Sequence, residues 1–264
     1  MKTKISITLS SHILKEIDGI VDYVLIRNRS QAIEYLVSNA LGDKKTAVIL
    51  TGGGEKELRV GDEFRPTVKT SSGKTVVRRA VRTLRNNGFK HIFIIAQPKV
   101  LTRIFGLLKD GSGEGVKLEY IEEKQSGGTG ESLRVLRGRV KGPFLVVYGD
   151  LVFEKIKLES LWNEHVRHKS MATIMMTTSA KPSEKGTLKV EGNQVLEFTQ
   201  KPKESDIYLV FSPVFVAEPE VLEQKGKSLE EDVFPRLAQK GLLTGHLSSE
   251  KEVHVHTVED AGGC

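Results

Sequence analysis

The chain has 264 residues, with 40 Lys or Arg against 34 Asp or Glu, a formal charge of +6, and 38% hydrophobic residues. That balance comes with no internal repeat and no low-complexity tract. One cysteine, Cys264, and no apolar run of transmembrane length exclude a disulfide framework, a cysteine metal site and a membrane partner; with no legible signal peptide, a cytoplasmic protein is expected.

From Lys4 to Leu9 the residues alternate, Ile5, Ile7 and Leu9 against Lys4, Ser6 and Thr8, which predicts a half-buried strand. Ser10 or Ser11 offers an N-cap, and Leu14, Ile17, Ile20, Val21 and Val24 follow at amphipathic helical spacing, with an end near Val24. Ser30 offers a second cap, and Ala32, Ile33, Leu36, Val37 and Leu41 mark a second helix that stops at Gly42. About forty residues with one unpaired strand bury too little apolar surface to stand alone, so a second copy of the chain is expected as partner. The strand-helix-helix order resembles the ribbon-helix-helix family, in which two chains pair their strands into a ribbon that enters the DNA major groove. The resemblance implies that Lys4, Ser6 and Thr8 face bases and that Arg29, Ser30 and Gln31 meet phosphate. It also implies a homodimer or higher even oligomer that binds DNA through residues 1–43. Charge is neutral on this point, since Met1 to Asp43 holds five Lys or Arg and five Asp or Glu.

A short polar junction, Gly42-Asp43-Lys44-Lys45, leads into a second domain spanning 44–264. It opens with the continuous apolar run Ala47-Val48-Ile49-Leu50, the pattern of a strand buried on both faces, followed by Thr51-Gly52-Gly53-Gly54. Glycines there let backbone amides approach phosphate oxygens or a base. A helix over Thr75 to Asn87 and strands at His91 to Ala96, Lys117 to Ile121 and Phe144 to Tyr148 continue the alternation. An α/β fold follows, with a mostly parallel, Rossmann-like sheet, helices on both faces and ligands at strand carboxyl ends.

Four further segments recur in order: Arg65-Pro66-Thr67-Val68 running to Gly73-Lys74; Gly128-Thr129-Gly130; Val147-Tyr148-Gly149-Asp150; and Phe198-Thr199-Gln200-Lys201-Pro202. With Ser228-Leu229-Glu230-Glu231-Asp232-Val233-Phe234-Pro235, this ordered set resembles the sugar-1-phosphate nucleotidyltransferases, of glycosyltransferase-A-like fold, over nearly all of Lys45 to Asp260. The resemblance implies attack of a sugar-1-phosphate oxygen on the α-phosphorus of a nucleoside triphosphate, with pyrophosphate leaving. Gly52, Gly53 and Gly54 would then cradle the nucleotide, Gly128 and Thr129 line the base pocket, Arg65 stand in for the family's phosphate-binding lysine, Asp150 hold Mg²⁺, and Lys201 and Glu230 meet the sugar phosphate. Glu230 reads equally as a first-turn acid beneath a Ser228 cap.

The sequence departs from that family near the leaving group. Glu55-Lys56-Glu57-Leu58 stands where the family has Gly-Thr-Arg-Leu, Phe211-Ser212-Pro213 replaces its Asn-Ala-Gly, and His254 aligns with its second metal aspartate. His254 and His256 alternate with Val253 and Val255, so they read as exposed strand residues and no zinc site is expected. From Phe64 to Lys109 there are eleven Lys or Arg and no acid, with Arg78, Arg82 and Arg85 on one helical face, either a solvated surface or a contact for flanking DNA. Three functions remain open: a working nucleotidyltransferase with a DNA-binding arm, a regulator that senses nucleotide or sugar nucleotide without turnover, and an enzyme whose arm only holds an oligomer together.

Overall fold

The computed structural model describes residues 5–22, 26–40, 45–124 and 127–264. The chain divides into two compact units, Met1–Lys44 and Lys45–Cys264. Among the described residues no helix is long and apolar enough to cross a membrane.

In the smaller unit, α1 (Ser11–Ile20) starts at Ser10, whose Oγ accepts from the Ile13 N–H at 3.5 Å. Helix α1 ends at Ile20, short of the expected Val24, and Val21 is already extended. Helix α2 (Arg29–Ala40) is capped by Asn28 rather than Ser30: the Asn28 side chain accepts from the Gln31 N–H at 3.0 Å, and its carbonyl accepts from Ala32. Ile17 and Ala32 are buried, and the Arg29 guanidinium donates to both Asp18 oxygens, at 2.5 and 2.8 Å. The expected strand is not formed. Lys4 lies outside the described residues, and residues 5–10 carry no ladder, with Ser6 and Thr8 exposed. The physical reason is that a strand satisfies its backbone only against another strand, and one chain offers it none.

The larger unit holds thirteen strands among its described residues. A nine-stranded sheet runs in the order β5 (Lys117–Glu122), β4 (His91–Ala96), β1 (Thr46–Thr51), β6 (Phe144–Tyr148), β11 (Leu209–Ala217), β8 (Ala172–Thr178), β12 (Leu243–Leu247), β10 (Gln194–Gln200) and β9 (Gly186–Glu191). Two small ladders join β2 (Arg59–Val60) to β3 (Glu63–Phe64) and β7 (Leu151–Val152) to β13 (Val253–His254). The expectation of a mostly parallel sheet is corrected here. Strands β5, β4, β1 and β6 are parallel, but β11 enters antiparallel between β6 and β8, and β10 pairs antiparallel with both neighbours. Beyond β6 only β8 and β12 pair in parallel among the described residues, and an apolar run announces a buried strand without fixing its direction.

Strand β1 shows why both faces are covered. Ala47 and Ile49 pack with α4 (Val76–Asn86), α5 (Pro98–Leu108) and α7 (Leu158–His168), while Val48 and Leu50 join the layer built on α6 (Thr129–Arg134) and α8 (Phe234–Gln239). All four residues are buried, so an apolar run without alternation is what a central strand needs. Within central strand β11, Pro213 cannot donate to a ladder; the register slips between Ser212 and Phe215, and the bulge accommodates it.

Several cations of the acid-free stretch from Phe64 to Lys109 pair with acids outside it. Arg78 and Arg82 both bind Glu114, at 3.0 and 2.7 Å, and Arg78 also donates to the Leu107 carbonyl at 2.6 Å. Two of the three arginines proposed for flanking DNA therefore brace α4 against the loop before β5, and the charge count missed this because Glu114 lies beyond the stretch.

Gly149 follows β6 and runs so close to β1 that its N–H donates to the Leu50 carbonyl at 2.9 Å. A Cβ there would collide with Thr51 Oγ1 and sit 3.1 Å from its Cβ. Gly149→Ala is expected to cost about 1–3 kcal/mol in urea unfolding, and Thr51→Ala in the same chain to recover part of it. Equal cost with and without Thr51 would mean that this contact does not set the approach.

Candidate functional site

Strand β1 delivers the glycines to the carboxyl edge of the parallel strands, where open α/β sheets hold ligands. Gly53 has φ +113°, a conformation that side chains rarely adopt, and Gly54 caps the single turn α3 (Glu55–Leu58). The Gly54 N–H donates to Glu57 Oε2 at 3.0 Å, and Glu55 holds Lys99 at 2.7 Å. Both acids of the unusual Glu55-Lys56-Glu57 segment thus have partners in the chain. Glu57 thus gives one loop amide a carboxylate acceptor from its own turn.

The second glycine station is shaped by packing. Gly128 has φ +111°, and a Cβ there would lie 2.7 Å from the Lys227 carbonyl oxygen. The same oxygen accepts from the Gly130 and Glu131 N–H groups, at 2.7 and 3.1 Å. Thr129 Oγ1 donates to Glu230 Oε2 at 2.6 Å and accepts from the Leu229 N–H at 2.8 Å. Glu230 lies in the π-helical turn Leu229–Val233, is buried, and also accepts from Tyr148 and from Ser228 Oγ. Ser228 caps that turn by accepting from Glu231. Glu230 is therefore more than a first-turn acid: three hydroxyls from two other segments and its own cap converge on it. Burial, followed by the Glu230 charge, raises the Tyr148 phenol well above its ordinary range and keeps it a donor.

Asp150 occupies the turn after β6. Its Oδ2 lies 3.5 Å from Arg65 Nη1 and 3.2 Å from His256 Nε2. Burial alone would raise its pKa, but the His256 hydrogen bond and the charges of His254, His256 and Arg65 outweigh it and hold the carboxyl below its usual range. The histidines arrive from the far end of the chain because β13 pairs antiparallel with β7, setting His254 opposite Leu151, while the Val255 N–H donates to the Asp150 carbonyl at 2.9 Å. Val255 is fully buried, so the alternation read from sequence points both imidazoles back toward Asp150. His256 is exposed as expected and His254 is half-buried, and what the alternation did not indicate is their proximity: one ligand atom from each of Asp150, His254 and His256 lies within 4.8 Å of the others.

This donor set fits Mg²⁺ poorly, because Mg²⁺ demands hard oxygen ligands in near-octahedral order and two of the three groups here are imidazoles. Buried Glu252 completes the surroundings: it accepts from Ser212 Oγ at 2.6 Å and lies 3.3 Å from His254 Nε2 and 3.5 Å from Lys185 Nζ. Against the cost of burial, the hydrogen bonds from His254 and Ser212 bring its pKa down to about 2. Lys201 is exposed at the end of β10, and its N–H donates to the Lys185 carbonyl at 3.0 Å. Its φ of +41° is unusual for a residue with a side chain and stores roughly 1–3 kcal/mol, as strained functional positions often do.

One residue that sequence reasoning passed over is Glu123, directly after β5. Its N–H donates to the Ala96 carbonyl at 2.9 Å, and one of its carboxylate oxygens accepts from Ser132 Oγ. Its other oxygen is buried and has no hydrogen-bond partner among the described residues, as is true of Thr51 Oγ1, Arg65 Nε and Gln200 Oε1. The signal was an acid at the carboxyl end of a parallel strand. Burial raises the Glu123 pKa, outweighing the Ser132 hydrogen bond. A raised carboxyl pKa stabilises the fold most at low pH, and that contribution is lost as pH rises through the folded value. Glu123→Gln, which fixes the neutral form, should therefore melt above wild type near about pH 8, with the gap closing toward about pH 4; a gap that is constant with pH would contradict this.

Comparison with known proteins follows the same geometry. The chain is 28% identical over 205 residues to a rice (Oryza sativa subsp. japonica) protein assigned as mannose-1-phosphate guanylyltransferase 1, covering 73% of this chain and 56% of that one. It is 25% identical over 211 residues to the bifunctional protein GlmU of Methanococcus maripaludis, covering 75% and 48%. The chain thus spans about half the length of these curated relatives. A crystal structure of a Bacillus anthracis protein assigned as a glucose-1-phosphate thymidylyltransferase, solved with sucrose, superposes with a TM-score of 0.75 at 19% identity, over 83% of this chain and 94% of that one, and shows the shared fold. The Nucleotidyl transferase family matches residues 46–256, and the chain belongs to that family.

Proposed function

We propose that the Lys45–Cys264 unit transfers a nucleotidyl group from a nucleoside triphosphate to a sugar 1-phosphate. In this reaction a sugar-phosphate oxygen bonds to the α-phosphorus, the bond to the β-phosphate oxygen breaks, and pyrophosphate leaves. The observation that carries this reading is the group of buried polar atoms without partners at one sheet edge. Thr51 Oγ1 ends β1, Glu123 Oε2 follows β5, and Arg65 Nε belongs to the guanidinium beside Asp150, after β6. Buried polar atoms are normally satisfied, and a set of them on parallel strand ends suits a polar ligand.

Roles for the chain's own groups follow. Amides of Gly52, Gly53 and Gly54 approach the nucleotide, with the Gly54 amide shared with Glu57. Gly128 and Thr129 shape the base pocket, and the unpartnered Glu123 oxygen accepts from a base N–H. Arg65 and Lys201 balance phosphate charge, and Glu230 holds Thr129 and Tyr148 where the sugar phosphate would lie. Relatives named for mannose 1-phosphate and guanine nucleotides make GTP with mannose 1-phosphate the first pair to try. Incubation with triphosphate and sugar 1-phosphate panels should release pyrophosphate from at least one pair, and Asp150→Asn should lower the rate by about 100-fold or more. Nucleotide binding without release from any pair would select the sensor reading.

The smaller unit supports a second statement. Among its described residues only Ile17 and Ala32 are buried apolar side chains, while Ile5, Ile7, Ile13 and Val37 are exposed by 47–73%. That is too little core for an independent unit, and pairing the Ile5-Ile7 faces of two chains would cover the excess. We propose a ribbon-helix-helix arm that dimerises and grips DNA, with Ser6, Thr8 and Ser30 on the DNA side. Arg29 would meet phosphate only by sharing its guanidinium with Asp18. Light scattering should report an even oligomer, Ile7→Asp should dissociate it while the large unit melts unchanged, and the same variant should lose duplex-DNA binding in fluorescence anisotropy. A dimer with no affinity for any duplex would leave the arm as an oligomerisation clasp.

A further inference from the structure

The three side chains gathered at the turn after β6 form an unusual set for this family. Asp150 supplies a carboxylate and His254 and His256 supply imidazoles, with one ligand atom of each within 4.8 Å of the others. We propose that they bind a divalent transition-metal ion of the Zn²⁺ or Co²⁺ class in preference to Mg²⁺. Imidazole nitrogen is a borderline donor that suits such ions, whereas Mg²⁺ selects carboxylate, carbonyl and water oxygens. Three protein ligands leave further coordination positions open, as sites that act on a bound substrate require.

The ligands are held on rigid backbone. His254 is fixed by its register opposite Leu151, and Val255 is anchored to the Asp150 carbonyl at 2.9 Å. The N–H groups of His256 and Thr257 both donate to Asp260 Oδ2 at 2.9 Å, which fixes the second imidazole's backbone. Glu252 lies 3.3 Å from His254 Nε2, a carboxylate-histidine contact of the kind that orients metal ligands. Glu252 is itself fixed by Ser212 at 2.6 Å.

Two features oppose binding. The His256–Asp150 hydrogen bond at 3.2 Å is an ordinary contact that needs no ion, and Arg65 brings a positive charge to 3.5 Å from Asp150. A hard ion held mainly by charge is weakened by that guanidinium, whereas one that draws on two imidazoles retains its nitrogen ligands. The part this ion takes in nucleotidyl transfer rests on the reaction proposed above; its binding does not.

The test uses the full chain without nucleotide. Co²⁺ is titrated while its visible absorption is followed, and Zn²⁺ is titrated by calorimetry, each with and without excess Mg²⁺. One Co²⁺ per chain should bind with a visible band that excess Mg²⁺ does not remove. His254→Ala and His256→Ala should each weaken binding by more than about 100-fold, and Glu252→Gln by about 10–100-fold. His91→Ala, at the opposite end of the parallel strands, should leave it unchanged. His256 is half exposed, so its replacement keeps the fold, and a melting curve verifies this. Displacement of Co²⁺ by equimolar Mg²⁺, or wild-type affinity in His256→Ala, would overturn the proposal. Pyrophosphate release with Mg²⁺ in a protein that binds no Co²⁺ would overturn it while leaving the transfer reading intact. Co²⁺ bound at these residues without transfer from any substrate pair would support the ion and remove the transfer reading.

Discussion

The site depends on a ladder of two residue pairs. Where β13 lies antiparallel on β7, His254 is set opposite Leu151, and the next backbone amide reaches the carbonyl of Asp150. The contact is small, but it closes a loop of about a hundred residues and fixes the relative position of groups that no local propensity brings together. Val255 stabilises it from behind, since its burial among Val60, Val68, Val76 and Val152 leaves the neighbouring histidines only one side to occupy. Two polar contacts then lie along this seam, His256 on Asp150 and, through Glu252, Ser212 on His254.

Around that seam the molecule uses polar groups in two different ways. The Glu230 network is satisfied within the chain: Thr129, Tyr148 and Ser228 all donate to one buried carboxylate. It ties the Gly128 loop to the end of β6 and to the π-helical turn. By contrast Thr51, Arg65 and Glu123 each keep a buried polar atom without a hydrogen-bond partner among the described residues. Buried groups of that kind cost stability unless something else satisfies them. The glycine loop stands between these cases, because Glu57 already engages the Gly54 amide.

Membership of the nucleotidyl transferase family accounts for the fold, and several residues of this chain have local physical roles within it. Glu57 caps the glycine loop by accepting from the Gly54 amide. Pro213 sits at the bulge of central strand β11, and neighbouring Ser212 gives Glu252 its hydroxyl donor.

Much of this was legible in the residues. The unbroken apolar runs of β1, β4 and β6 announced buried strands, and the helix at Val76–Asn86 followed from its periodicity. Such features arise from neighbours within a few residues of one another, which is the range over which a sequence pattern carries information. The antiparallel half of the sheet, the neutralisation of Arg78 and Arg82 by Glu114, the isolation of one Glu123 oxygen and the meeting of Asp150 with two histidines were decided by tertiary structure alone. Each depends on which strand lies beside which, and thus on the summed burial of two core layers rather than on any local preference. The same distinction explains the amino-terminal arm: its alternation is the pattern of a strand, yet residues 5–10 form no ladder, because alternation supplies a face and not a pairing partner.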